Sequence, residues 1–158
     1  MHFFDHQIGK EKKIKITKIF NFEMSHALPG YDGDCKNIHG HSFVLHITLR
    51  GKVFREKGHP KDGMVLDYKV LKNMVKEQIL SKFDHALVLS TQTDQELIQI
   101  LKTAKQKLHL VPFQTTSENL LFHFVELLAP HLPDSVELYS IKLFETNSSY
   151  AEWALDNQ

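Results

Sequence analysis

The chain has 158 residues, and Lys+Arg and Asp+Glu total 19 each, so its formal net charge is zero. That length suits one domain with a real core, and the charge balance removes any global electrostatic case for nucleic acid or an anionic membrane as partner. The single cysteine, Cys35, rules out an intramolecular disulfide framework, residues 1–13 hold no apolar signal core, and no apolar run is long enough to span a bilayer; the expectation is one domain over residues 1–158 in the cytoplasm.

In chain order, residues 14–26 alternate. Ile14, Ile16, Phe20, Phe22 and Met24 share one parity, and Lys15, Thr17, Asn21, Glu23 and Ser25 the other, which predicts a half-buried strand. Pro29, Gly30 and Gly33 mark a loop. A second strand is predicted over residues 39–53, with Phe43, Leu45, Ile47 and Leu49 on one face. Residues 55–63 read as a turn region, and Asp67 as an N-cap for a helix carrying Val70, Leu71, Met74, Val75 and Ile79. Residues 83–89 form a short apolar run with Asp84 and His85 embedded in it. Thr93 to Glu96 has the form of a capping box before a helix carrying Leu97, Ile98, Leu101, Ala104 and Leu108. Thr115 to Glu118 is a second such box, before Leu120, Leu121, Phe124, Val125 and Leu128; Pro130 and Pro133 end that helix. Residues 136–145 and 149–155 return to strand character around an Asn147-Ser148 turn. Paired strands around helices predict an antiparallel α+β domain.

Histidine stands out, with eleven residues. His26 falls in phase with Phe20, Phe22 and Met24, and His39 and His41 fall in phase with Phe43 and Leu45. Pairing of the two strands would bring all three imidazoles together, and Gly40 between two of them permits close approach of a backbone or ligand. Three neutral imidazoles with an open fourth position describe a catalytic zinc site, whereas His46, His59, His109, His123 and His131 read as ordinary histidines. Cys35 has three readings: a small buried hydrophobe, a fourth ligand that closes the site, or a thiolate poised as base or nucleophile beside the metal.

The order of short motifs adds a further expectation. Cys35-Lys36-Asn37-Ile38-His39-Gly40-His41, preceded by Phe22 to His26 and followed by Gly63 to Tyr68, Phe83-Asp84-His85, Thr116-Ser117-Glu118-Asn119 and Glu145-Thr146, resembles the 6-pyruvoyl-tetrahydropterin synthase/6-carboxytetrahydropterin synthase family. The resemblance runs from Phe20 to Trp153. It implies a tunnelling fold, an antiparallel sheet with helices packed on one face that closes into an oligomeric barrel. The implied assembly is a homo-oligomer, trimer or hexamer, with active sites between subunits, so that Asp84 and His85 would reach a zinc held by another chain. It further implies His26, His39 and His41 as Zn2+ ligands and Cys35 as the proton-abstracting thiol. His85 becomes the acid/base oriented by Asp84, Glu145 the carboxylate that anchors the pterin and joins the proton relay, and Thr116, Ser117 and Glu118 the loop behind the ring. Three residues between Cys35 and His39 resemble the 6-carboxy branch. That implies a lyase converting 7,8-dihydroneopterin triphosphate to 6-carboxy-5,6,7,8-tetrahydropterin, with release of acetaldehyde and triphosphate, on the route to queuosine. The alternatives are the 6-pyruvoyl product, with the side chain retained, and a pterin-binding zinc protein without turnover. Two features depart from the family pattern: a longer stretch at about residues 90–114, expected to be a helical insertion, and Thr115 where a proline usually stands.

Overall fold

The computed structural model describes residues 12–157; most of the polar N-terminal stretch, residues 1–11, lies outside the described residues. The alternating segments become strand β1 (Lys13–His26) and strand β2 (His39–Lys52), a single antiparallel hairpin in register from Lys13 opposite Lys52 to His26 opposite His39. Strand β5 (Val136–Thr146) pairs antiparallel with β2, and strand β6 (Ser149–Ala154) closes that side of the sheet. Two short strands extend the other side: β3 (Ala86–Ser90), parallel to β1, and β4 (Leu108–Val111), parallel to β3. The six-stranded order is β4-β3-β1-β2-β5-β6.

The parity read from the sequence sorts the two faces. Phe20, Phe22 and Met24 of β1 and Phe43, Leu45, Ile47 and Leu49 of β2 are buried, together with Ile141 and Leu143 of β5. Packed on them are α1 (Tyr68–Val75), α2 (Ser81–Phe83) and α4 (Ser117–Leu128), which contribute Leu71, Val75, Phe83, Leu120, Leu121, Phe124 and Leu128 to the same core. On the opposite face Lys15, Thr17, Ile19, Asn21 and Glu23 are exposed. α3 (Gln95–Thr103) stands apart from the other helices: its Leu101 borders a cleft with Ser25, Gly40 and Ser42, residues of the opposite parity.

A π turn, Lys76–Leu80, joins α1 to α2. Leu71, Val75, Ile79 and Phe83 are all fully buried and recur every fourth residue. In a straight α-helix a four-residue repeat drifts about 40° per step; the wider π turn takes up that drift and keeps the four residues on the sheet.

The predicted helix reaching Leu108 is shorter in the structure, and Leu108 begins β4. After Thr103 the chain enters a Schellman turn: Lys105 is left-handed (φ 54°), its N–H donates to the Lys102 carbonyl at 3.0 Å, and Gln106 N–H donates to the Leu101 carbonyl at 3.1 Å. No glycine marks this stop. Residues 90–114 therefore hold a helix and a short parallel strand. Both capping boxes act one residue later than predicted. Asp94 caps α3, accepting from the amides of Glu96 and Leu97, and Thr116 caps α4, accepting from Asn119; Asp67 caps α1 as predicted. Among the described residues no helix is long and apolar enough to cross a membrane.

Candidate metal centre

The β1–β2 hairpin sets His26 directly opposite His39, and His41 opposite Met24, one position further along the same face. Their ring centroids lie 4.6 Å (His26–His39), 5.3 Å (His26–His41) and 5.0 Å (His39–His41) apart. Backbone carbonyls orient two of the rings. His26 Nδ1 donates to the Thr115 carbonyl at 2.7 Å, and His39 Nδ1 donates to the Asn37 carbonyl at 2.8 Å. A carbonyl only accepts, so in both rings Nδ1 carries a proton, and the neutral ring leaves Nε2 with a lone pair for a metal.

The Nε2 atoms of His26, His39 and His41 are all buried, and none has an aligned hydrogen-bond partner. Buried nitrogen left unpaired is costly in a protein interior; three such atoms converging on one another fit a cation. Glu145 joins them. Its Oε1 lies 3.2 Å from His26 Nε2 and 3.2 Å from His41 Nε2, and the four donor atoms all lie within 4.8 Å of one another. This donor set, three imidazoles and one carboxylate, suits zinc among other divalent metals. His26, at hydrogen-bonding distance though not aligned, holds the Glu145 carboxyl below the usual carboxylate range, helped by His41 and His39 and opposed by burial. Burial pushes His41 below its ordinary value, Glu145 opposes this, and His26 and His39 add to it.

The other predicted residues lie around this group. Cys35 is half-buried in the 3-10 turn Asp34–Lys36, within the loop that joins the two histidine-bearing strands, and Leu28 N–H donates to its carbonyl at 2.9 Å. It is not among the four clustered donors. Thr116, Ser117 and Glu118 start α4, directly after the Thr115 carbonyl that holds His26.

Asp84 and His85 form a separate pair. Asp84 Oδ1 accepts from His85 Nδ1 at 2.9 Å and from the Glu23 amide at 3.0 Å, while His85 N–H donates to the Glu23 carbonyl at 2.6 Å. These bonds hook the pair onto β1 and hold His85 in a left-handed conformation (φ 57°). The His85 side chain is 75% exposed, free to meet a ligand. It shares a cleft of about 500 Å³ with Ser25, Gly40, His41, Ser42 and Lys107.

Sequence reasoning missed the supports. The carbonyls of Thr115 and Asn37 aim the rings, Glu23 fastens the Asp84–His85 pair, and Lys107 Nζ donates to the Asp84 carbonyl at 2.6 Å. Backbone carbonyls leave no trace in residue identity. The place of Glu145 beside the imidazoles does leave one, because it shares the parity of Ile141 and Leu143 on β5.

Residues 15–155 match the family described as 6-pyruvoyl tetrahydropterin synthase. The chain is 36% identical over 141 residues to the 6-carboxy-5,6,7,8-tetrahydropterin synthase of Haemophilus influenzae, covering 88% of this chain and 97% of that protein. It is 33% identical over 142 residues to the protein of the same name from Rickettsia bellii, covering 88% and 99%. Among solved structures, an uncharacterized protein from Wolinella succinogenes superposes with a TM-score of 0.71 at 18% identity, over 91% of this chain and 99% of that one. The 6-pyruvoyl tetrahydropterin synthase of Caenorhabditis elegans superposes with a TM-score of 0.65 at 24% identity, over 90% and 96%. At these identities the two structures share the fold.

Proposed function

The chain belongs to the 6-pyruvoyl tetrahydropterin synthase family, and from that premise we propose that it is a zinc-dependent lyase producing 6-carboxy-5,6,7,8-tetrahydropterin from 7,8-dihydroneopterin triphosphate, with release of acetaldehyde and triphosphate. The observation that carries the reading is the set of three buried, unpartnered Nε2 atoms of His26, His39 and His41. The names of the relatives support the pterin substrate and the 6-carboxy product.

His26, His39 and His41 would hold the metal through these nitrogens. Bound there, zinc would supply Lewis acidity toward the oxygens of the substrate side chain. The Cys35 thiolate would take a proton from the side-chain carbon. His85, its Nδ1 tied to Asp84, would move protons through its other ring nitrogen. Glu145 would bind the pterin edge that offers a ring N–H and an amino group, and Thr116, Ser117 and Glu118 would back the ring. The enzyme would act in the cytoplasm, in queuosine synthesis. A homo-oligomer would cover the open sheet face and the outer strands β4 and β6, bringing the Asp84–His85 pair of one subunit toward the histidine cluster of another.

The test is product identity. Zinc-loaded protein given 7,8-dihydroneopterin triphosphate is expected to yield, by mass, the 6-carboxy product with one trapped acetaldehyde per turnover. A 6-pyruvoyl product without acetaldehyde would replace the reaction with triphosphate elimination. Pterin binding with no product would leave a binding protein.

A further inference from the structure

Glu145 Oε1 lies 3.2 Å from two imidazole nitrogens, neither of them aligned to donate a hydrogen bond to it. His26 donates its N–H to Thr115, so its Nε2 lone pair faces the carboxylate oxygen across that 3.2 Å. For the neutral ring, lone pair against anion is repulsive unless a cation lies between them, and the contact is not aligned for an N–H to bridge it, so a metal ion fits there better than a ring proton. Zinc–ligand distances of about 2.0–2.1 Å give a tetrahedron with edges of roughly 3.3 Å, and both Glu145–histidine separations are 3.2 Å. The backbone provides for this placement. β5 pairs with β6 at Phe144–Tyr150 and again at Thr146–Ser149, with a register shift between that leaves Glu145 as the bulged residue. Bulges of this kind re-aim a side chain.

We infer that Glu145 is the fourth metal ligand while the site is empty of substrate, and that it leaves the metal when a pterin binds. This rests on the pterin reading above. A pterin edge with two adjacent donors engages both oxygens of a carboxylate, and a carboxylate whose Oε1 is drawn toward a metal gives that edge a weaker and misdirected clasp, so pterin binding favours its release from the metal. The exchange makes the substrate open the coordination position that its own reaction needs. Without pterin the metal is closed by four protein donors and shielded from stray ligands. The Glu145 side chain is 26% exposed, so a ligand can reach it.

The experiment uses the full chain, loaded with zinc for affinity by chelator competition and with cobalt(II) for its visible d–d spectrum. Pterin-6-carboxylate serves as an unreactive probe. Glu145→Gln is expected to bind zinc about 10–100-fold more weakly, the range seen when a partner of a metal site is lost, while Cys35→Ala binds it as the unaltered protein does. The probe is expected to change the cobalt spectrum of the unaltered protein and to leave that of Glu145→Gln unchanged. Where Glu145→Gln folds poorly by circular dichroism, Glu145→Asp, with its carboxylate withdrawn by one methylene, is expected to show the same loss. Equal zinc affinity with and without the Glu145 carboxylate, loss of zinc on Cys35→Ala, or a probe-insensitive cobalt spectrum in the unaltered protein would each overturn the inference. Acetaldehyde release by the unaltered protein tests the lyase reading separately, so either can fail alone.

Discussion

Cys35 and Thr115 show how much one residue's surroundings matter at this site. Cys35 lies outside the four-donor group, in a half-buried turn rather than in the core. The proposed role as base then separates metal binding from turnover: Cys35→Ala should retain zinc, measured by metal content, and lose at least about 100-fold in turnover, the low end for removal of a general base. Loss of the metal in that variant would sink the role. Thr115 is fully buried; its hydroxyl donates to the Ala27 carbonyl at 3.0 Å while its own carbonyl holds His26. Thr115→Val keeps the shape but strands the Ala27 carbonyl, and should cost about 1–3 kcal/mol of stability in urea unfolding. The Thr115 hydroxyl thus adds a strut beneath His26 that a proline at this position could not make.

The hairpin of β1 and β2 is the element that builds the candidate centre, and Gly40 is the close approach between its two strands there. A Cβ at Gly40 would stand 3.0 Å from Ser25 Oγ and 3.2 Å from the Met24 carbonyl oxygen. The serine can turn away, but the carbonyl belongs to the neighbouring strand. Gly40→Ala should therefore shift β1 against β2 between His39 and His41, lowering stability by about 1–3 kcal/mol and reducing bound metal in the purified protein. Unchanged urea midpoint and metal content would show that the hairpin yields without cost. Elements of this length were legible in the sequence because fourteen paired residues per strand repeat the alternation many times over. β3 and β4, with five and four residues, repeat it too few times to separate a strand from a helix end. The stop of α3 hides in Lys105, whose left-handed backbone replaces the glycine that a sequence reading looks for.

For the whole molecule, buried imidazoles outside the candidate metal centre are expected to contribute acid sensitivity. His109 of β4 and His123 of α4 both face the Phe83 ring, with centroids 4.7 and 6.0 Å away. Burial pushes His109 below 6.5, and His123, Lys82 and Lys107 add to this; burial does the same to His123, with Lys82 adding and Glu126 opposing. Both are thus favoured as neutral rings in the fold, while the unfolded chain protonates them near pH 6.5. The stability they contribute is present above that pH and is lost as pH falls from there through the lower folded values. Urea unfolding at a series of pH values between 7.5 and 5 should show this decline, and replacing both histidines by Gln should reduce it, with burial of His41 and His46 leaving the remainder. A slope unaffected by the double replacement would place the acid sensitivity elsewhere.

The alternation of Phe20, Phe22, Met24 and His26, and of His39, His41, Phe43 and Leu45, determined by itself that three imidazoles lie on the buried face of two strands, because side-chain direction in a strand is fixed by a period of two. Asp67, the apolar stripes of α1 and α4 and the late strands β5 and β6 follow from equally local rules. Only the tertiary structure decided what meets those imidazoles. The Thr115 carbonyl arrives from the turn before α4, the Glu23 backbone fastens the Asp84–His85 pair at the sheet's parallel side, and a register shift beside Glu145, whose face on β5 parity already gave, sets its carboxylate against the imidazoles. Each is a contact across long sequence separation, made by a backbone group or a register shift, and neither of those is written in the identity of a residue.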